Sequence, residues 1–441
     1  MDAYRIEGGY PLKGTVSISG SKNSSLPCMF AALLTREPVT IKRIPKLRDT
    51  ATTIKLLEYL GKQCVWENGA LTITEHALDG ADQRNKVAPY ELIRQMRASV
   101  LACGPLLARW GKAKVALPGG CSLGLRPIDI HLDGFKAMGA KISVTQGFVN
   151  LEAFSGKLRN LKYKLRFPSV GATENFMLAA ALIAGKTVLE NVAREPEIVD
   201  LANMLSSMGA SVKGAGSARL VIIGQPMLKG VTHQVIPDRL EAGSFLIFAA
   251  CVEGSEIKIL DCQSEHLSHF LTAIKNSGLK PKIGPDWVAM KTPKGFRPRP
   301  VSIETVPYPG FVTDLQPLWM AYMARAKGTA KIQETIFENR FVAAAELNRM
   351  GARIVAKGDQ ATVTGVTGLH SAPIMESDIR AGAALIAAAL AAQGTTVLSR
   401  IYHTDRGHEN LETKLRNLGA RIERFEEVKY TLQPPAAKAH V

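Results

Sequence analysis

Several signals that would betray a function directly are missing from this chain of 441 residues. Its six cysteines (Cys28, Cys64, Cys103, Cys121, Cys251 and Cys262) include no CxxC pair. The spacing offers neither a disulfide framework nor a zinc motif, and a reducing cytoplasm is the expected location. Long apolar runs are also absent. The longest stretch of small apolar residues, Ala381 to Ala392, is about half a membrane span. The opening MDAYRIEGGYPLKG lacks the apolar core of a signal peptide, so no membrane is expected as a partner. There is no GxxxxGK followed by Ser or Thr, which leaves a P-loop nucleotide hydrolase unsupported. Gly214-Ala215-Gly216 lacks the third glycine of a dinucleotide fingerprint, and neither HExxH nor a serine elbow occurs. No basic helix with base-reading residues and no aromatic platform is present, so nucleic acid is not expected either.

What the chain does have is positive charge and a repeat. Lys and Arg number 55 against 39 Asp and Glu, a formal charge of +16. Apolar residues at 46% and charged ones at 21% are an ordinary globular mix. The basic balance fits an anionic small substrate as well as it fits solubility. Clusters such as Lys157, Arg159, Lys162, Lys164 and Arg166, or Lys291, Lys294, Arg297 and Arg299, read as solvated faces.

A periodic apolar helix stopped by glycine and followed by a strand recurs six times, at Gly61, Gly139, Gly209, Gly278, Gly351 and Gly419. Each stop leads into a hairpin, with Asn68-Gly69 the clearest turn. The others fall at Gln146-Gly147, Gly214 to Gly216, Gly284 to Asp286, Gly358-Asp359 and Glu426-Glu427. Before each such helix lies a second one, small and apolar on all sides. The six are SSLPCMFAALL, ELIRQMRASVLACGPLLA, ATENFMLAAALIAG, EAGSFLIFAACVEG, TDLQPLWMAYMARAKG and IRAGAALIAAALAAQG. Such helices belong in an interior. The unit is βαβαββ, about 70 residues long. Six of them group as two α/β domains of three, helices inside and sheets outside, which fits neither a solenoid nor a TIM barrel.

The starts of these buried helices carry polar residues that packing does not need: Ser21-Lys22-Asn23, Arg94 to Arg97, Ser169 to Thr173, Asp238-Arg239, Thr313-Asp314 and Asp378-Ile379-Arg380. Helix capping accounts for many of the Ser, Thr and Asp residues. It does not account for Lys22, Arg97 and Arg380, whose charge opposes the helix dipole unless an anion lies between. The segment from Leu117 to Pro127 holds three glycines in six residues and is expected to be a mobile loop. Its Cys121, near Arg126, is either a reactive thiolate or an ordinary free thiol. Two late segments, Thr335 to Phe341 and His403 to Gly407, follow strands at the same edge.

These segments together closely resemble the UDP-N-acetylglucosamine 1-carboxyvinyltransferase family of enolpyruvyl transferases. The resemblance runs from Tyr4 to Leu432 and rests on SGSKNSSLP (19–27), QMRAS (95–99), LPGGCSLGLRPIDIHLDG (117–134) and PSVGATEN (168–175). REPEIVD (194–200), IPDRLEAG (236–243), FVTDLQ (311–316), ETIFENRF (334–341) and RIYHTDRG (400–407) complete it. It implies two inside-out α/β domains of three βαβαββ repeats each, with the active site in the cleft between them. One would span residues 22–230 and the other residues 1–21 plus 231–432, with 433–441 a disordered tail.

The implied reaction transfers the enolpyruvyl group of phosphoenolpyruvate to the 3'-hydroxyl of UDP-N-acetylglucosamine and releases phosphate. It is the committed step of peptidoglycan precursor synthesis, with consequences for cell shape and division. By the same resemblance Cys121 protonates the methylene carbon and Asp314 is the base. Lys22, Arg126 and Arg406 bind phosphoenolpyruvate, with Arg97, Arg340 and Arg380 close by. The UDP-sugar lies against Asn23, Arg97, Arg126, Pro127, Ile128, Asp129, Ile130, Ser169, Val170, Gly171, Asp314 and Ile336, and Asp378 joins the substrate-binding set. No metal or organic cofactor is implied, and a monomer is expected. Phe167 stands where relatives often carry a lysine near the UDP phosphates, with Arg166 or Lys164 as substitutes. Ile379 replaces a common Leu, a mild change. Because the loop residue is Cys and not Asp, alkylation by fosfomycin is expected. The competing readings are the sister 5-enolpyruvylshikimate-3-phosphate synthase, whose GNAGT-type motif is absent, and an inactive binding protein.

Overall fold

The computed structural model describes residues 2–75, 87–88, 90–93, 96–116 and 128–427. Six helices built from the apolar segments form its centre: α1 (Lys22–Ala31), α2 (Cys103–Trp110), α3 (Val170–Ala180), α4 (Arg239–Cys251), α5 (Gln316–Met323) and α6 (Ile379–Ala391). Every residue of α4 and of α5 is buried. Burial on all sides suits Ala, Gly, Leu and Phe, which leave no polar side-chain atom to satisfy. The buried apolar side chains fall into two clusters. One gathers residues from Leu26 to Val235 around α1, α2 and α3. The other combines Tyr4 to Ile18 with Leu240 to Ile422 around α4, α5 and α6. The architecture is two-domain α/β, with helices inside and sheets outside.

Around the helices lie six four-stranded sheets with one recurring order. In one of them Lys162–Lys164 runs parallel to Gly185–Glu190. That strand pairs antiparallel with Arg219–Gly224, which pairs in turn with Ser211–Lys213. The six helix-stopping glycines all have positive φ, from 88° at Gly351 to 112° at Gly209. Asn68-Gly69 and Gln146-Gly147 both sit at positive φ, as a two-residue turn of the expected hairpin type needs.

Two sequence expectations change. The segment from Glu91 to Ala108 is not one helix. It breaks into a short helix Tyr90–Ile93, a 3₁₀ helix Arg97–Ala102 and α2. Met96 is extended at the break, and Ser99 Oγ donates to its carbonyl at 2.7 Å, a side-chain bond that competes with the helical one. The sixth unit also has no return strand turning at Glu426-Glu427. Its final strand, Arg421–Glu426, pairs antiparallel with the first strand of the chain, Asp2–Glu7, in the register Ile6↔Ile422. The amino-terminal strand thus fills the gap between Thr395–Ser399 and Arg421–Glu426.

The chain passes twice between the two cores. Lys13–Ser17 lies parallel to Glu256–Leu260, whereas Val231–Gln234 lies parallel to Val39–Lys42. The two crossing segments pair with one another at Gly20↔Pro237. Ser21 N donates to Ile236 O at 2.7 Å and Asp238 N to Ser19 O at 2.9 Å. A Cβ on Gly20 would stand 1.7 Å from the Arg43 carbonyl oxygen, so the crossing needs glycine there. The remaining contacts across the interface are largely polar, the kind that permits relative domain motion. Among them, Arg239 pairs bidentately with Glu197, at 3.0 and 3.2 Å, with both residues buried.

Because Ile6 is fully buried in the closing strand, Ile6→Ala is expected to destabilise the protein by about 2–5 kcal/mol. Urea unfolding followed by circular dichroism checks this, and a loss below about 1 kcal/mol would contradict the closing role of this strand.

Candidate active site

The helix starts explain much of the polar pattern by capping. Ser21 Oγ accepts from Ser24 N on α1, and Ser169 Oγ from Ala172 N on α3, both at 3.3 Å. Asp238 Oδ1 accepts from Leu240 N and Glu241 N on α4, at 2.8 and 3.0 Å. Asp378 Oδ1 does the same for Arg380 N and Ala381 N on α6, at 2.8 and 3.1 Å. Asp238 also accepts from the Lys22 backbone N–H at 3.1 Å through Oδ2, joining the starts of α1 and α4 from the two cores.

The cations that capping could not explain are answered by carboxylates. Lys22 Nζ lies 2.9 Å from Asp49 Oδ2, and Arg406 Nε donates to Asp49 Oδ1 at 2.8 Å. Lys22 and Asp49 belong to the chain around the first core and Arg406 to the second, so one buried carboxylate ties the two together. Burial alone would raise the Asp49 carboxyl, but the Lys22 and Arg406 charges outweigh it and hold it below its ordinary range. Asp49 was not among the sequence candidates. Its place in PKLRDT, in the first turn of the helix Arg48–Tyr59, reads as an ordinary acidic helix start.

A second knot forms at Asp314, in the 3₁₀ turn Thr313–Leu315 that leads into α5. Its Oδ1 accepts from Arg340 Nη2 at 2.8 Å and its Oδ2 from Arg380 Nη2 at 2.9 Å. The Arg340 side chain is only 1% exposed, whereas Asp314 keeps 26%. Buried Glu334 supports the turn: it accepts from Thr313 Oγ1 at 3.0 Å and from the Ile336 and Phe337 N–H groups at 3.0 and 3.1 Å. This fixes half-buried Ile336 and the approach to Arg340. Several buried polar atoms here, Arg340 Nε, Asp378 Oδ2 and both ends of the Gln316 amide, make no hydrogen bond to the described residues. The two knots adjoin through Gly407, where a Cβ would lie 3.9 Å from Arg380 Nη1.

A third group gathers Ile128, Asp129 and Ile130 with Ser169, Val170 and Gly171. Ile128 is buried at the start of the helix Asp129–Ala137. That helix is anchored to α3 by Asn175, whose amide bonds His131 Nδ1 at 3.0 Å and Val100 O at 3.0 Å. A Cβ on Gly171 would come 3.4 Å from His131 Cε1. Asn23, half-buried, follows Lys22 on α1. Arg166 is not free to replace the lysine missing at Phe167: it pairs with Asp129 and, at 2.7 Å, with Asp133. Nor is Arg297 part of a solvated face. It donates to the carbonyls of Arg325, Ala326 and Val366 at 2.9–3.2 Å and stitches a loop to α5's end. Cys121, Arg126 and Pro127 lie outside the described residues, as does the side chain of Arg97.

A polar, cationic cleft between two cores of buried helices defines a class of group transferase acting on anions, and the comparisons agree. Residues 6–415 match the family of EPSP synthase (3-phosphoshikimate 1-carboxyvinyltransferase), and the chain belongs to this family of enolpyruvyl (carboxyvinyl) transferases. Within it, the chain is 46% identical over 424 residues to the UDP-N-acetylglucosamine 1-carboxyvinyltransferase of Elusimicrobium minutum, covering 96% of this chain and 99% of that one. The same figures hold for UDP-N-acetylglucosamine 1-carboxyvinyltransferase 2 of Carboxydothermus hydrogenoformans. Among solved structures, the enolpyruvyl transferase NikO of Streptomyces tendae superposes with a TM-score of 0.86 at 26% identity, covering 96% of this chain and 98% of that one. An EPSP synthase of Acinetobacter baumannii, at 19% identity and a TM-score of 0.73 over 97% and 100% of the two chains, shares the fold. No helix among the described residues is long and apolar enough to cross a membrane.

Fully buried Glu376 accepts from Thr404 N at 2.9 Å and Thr404 Oγ1 at 2.5 Å and so holds the turn that carries Arg406. Burial pushes its carboxyl up to about 8. The folded state therefore holds a proton that the unfolded chain has released between roughly pH 4.5 and 8. Stability from this group is complete below that window, falls across it and is gone above. Glu376→Gln, a mimic of the neutral acid, should escape this loss. Its stability relative to the parent is expected to rise with pH by about 1.4 kcal/mol per unit within the window. Urea unfolding at several pH values checks it; a pH-independent difference would mean that Glu376 is ionised in the fold.

Proposed function

We propose that the chain transfers the enolpyruvyl group of phosphoenolpyruvate to the 3'-hydroxyl of UDP-N-acetylglucosamine and releases inorganic phosphate. The observation that carries this reading is the 46% identity, over nearly the whole chain, to relatives named for UDP-N-acetylglucosamine. The shikimate-type neighbour stands much further away, at 19%. The product starts peptidoglycan precursor synthesis, so the reaction belongs to cell-wall growth in the cytoplasm, and one chain holds all the residues the reaction needs.

In this reading residues 22–230 form one body and residues 1–21 with 231–432 the other, a division supported by the two separate apolar cores. Lys22 and Arg406 bind the phosphate and carboxylate of phosphoenolpyruvate together with Arg126. The incoming dianion competes with Asp49 for both cations, which is why an internal carboxylate suits that position. Two oxygens of Asp314 are already used by Arg340 and Arg380, but each keeps a second lone pair for the sugar hydroxyl. The proton leaves the 3'-oxygen toward Asp314 as that oxygen attacks the substituted carbon of phosphoenolpyruvate. Cys121 supplies a proton to the methylene carbon. Elimination then returns a proton and expels phosphate, held by Lys22 and the arginines. The sugar nucleotide rests on Asn23, Ile128 to Ile130 and Ser169 to Gly171, with Arg97, Pro127, Ile336 and Asp378 at its margins. The charges are fixed before substrate arrives, so little reorganisation is needed.

Phosphate release from phosphoenolpyruvate that depends on UDP-N-acetylglucosamine is the expected outcome of a coupled assay. Dependence on shikimate 3-phosphate instead, or no turnover with either, would overturn this reading. In that assay Asp314→Asn is expected to lower kcat by about 10²–10⁴-fold, the usual range for a proton-transfer group. Fosfomycin with UDP-N-acetylglucosamine is expected to add one adduct at Cys121 by intact-mass analysis, and Cys121→Asp to prevent it.

A further inference from the structure

Away from the cleft, three side chains with ligating atoms converge beneath the start of the second crossing segment. Cys28 comes from α1, Asp200 from the helix Pro196–Ser207 and His233 from the strand Val231–Gln234. Their ligand atoms all lie within 4.8 Å of one another, and no other such group of three occurs among the described residues. Cys28 is fully buried and Asp200 is 3% exposed, while the His233 side chain keeps 12% and offers the way in. Asp200 Oδ1 already faces His233 Nε2 at 3.0 Å. Its Oδ2 accepts from Ser24, one helical turn before Cys28, and from Ile236 N at 3.3 Å. Neither Cys28, Asp200 nor His233 has a part in the chemistry above.

The donor set is one sulfur, one imidazole nitrogen and one carboxylate oxygen. Calcium and magnesium take oxygens alone, whereas this mixture suits zinc and its neighbours. Tetrahedral bonds of about 2.0–2.3 Å place ligand atoms about 3.4 Å apart, so the present spacing needs adjustments of about an ångström. A thiolate, a carboxylate and a neutral imidazole around a divalent cation sum to zero charge, which is what a buried position requires. We propose that Cys28, Asp200 and His233 form a binding site for a divalent transition ion of the zinc class, with the Ser24 hydroxyl or a water as fourth ligand. On binding, the Cys28 S–H gives its proton to solvent and the sulfur bonds the metal. The ion clamps α1 to the strand that runs straight into the interdomain crossing at Val235 to Pro237.

The test uses the full chain, reduced, stripped with a chelator and titrated with cobalt(II) chloride. One equivalent is expected to produce a thiolate-to-cobalt charge-transfer band and tetrahedral visible bands, both removed by zinc. Cys28→Ser and His233→Gln should each lose the spectrum, while Cys121→Ser should keep it, which separates this site from the loop cysteine. Zinc at about 100 times its dissociation constant should raise the unfolding temperature of the parent by several degrees and leave both variants unmoved. Should Cys28→Ser fail to fold, His233→Gln, at the partly exposed ligand, still decides. No stoichiometric spectrum in the parent chain, or a spectrum that survives His233→Gln, would overturn the proposal.

Discussion

Six helices that are apolar on every side must be covered on every side, and the rest of the architecture follows from that constraint. A helix such as Arg239–Cys251, with all thirteen residues buried, cannot lie on a surface. Packed in threes, such helices need an outer wrapping, which the four-stranded sheets provide. Only helix ends can then meet water or ligand. An apolar helix interior carries no useful chemistry, so the functional side chains collect at the starts of helices and on the turns beside them. There the free N–H groups are capped by Ser21, Ser169, Asp238 and Asp378, and the cations stand one or two residues further on.

The cleft is organised by the protein's own anions. Asp49 joins Lys22 to Arg406 and Asp314 joins Arg340 to Arg380, so each cation cluster is neutralised internally before any ligand arrives. Breaking a buried pair by removing one partner is costly, because the other charge is stranded. An anionic substrate avoids that cost by offering its own oxygens in exchange. The Arg239–Glu197 pair lies across the same boundary near Tyr308, whose ring stacks 5.1 Å from the guanidinium. The two bodies are thus held by directional polar contacts and by the paired crossing at Gly20 and Pro237. A continuous apolar seam would resist opening more strongly.

Much of this was legible in residues alone. Glycine stops, hairpin turns and all-round apolar segments are local signals, since each depends on a few neighbouring backbone angles or on the absence of polar atoms. They led to the repeat, to the inside-out arrangement and to the cations that helix dipoles disfavour. Motif resemblance then pointed to Asp314, Arg340, Arg380 and Arg406 as one set, and the structure does bring Asp314 against Arg340 and Arg380. What failed were inferences that needed a distant partner. Arg297 looked like a solvated charge but reaches three carbonyls, Arg166 looked available but is paired, and Asp49 looked like a helix start.

By itself the sequence determined the repeating unit, the choice of buried and exposed helices and the family, because these are written in short-range patterns of polarity and turn chemistry. Tertiary structure alone decided that the first strand closes the sixth sheet and that the chain crosses twice through a paired segment. It also decided that one carboxylate bridges the two bodies, and that Cys28, Asp200 and His233 meet. Those residues lie as much as several hundred positions apart, and nothing local to any of them names its partner. Strand pairing and ion pairing are long-range events, chosen by which surfaces and charges are left unsatisfied once the helices are buried.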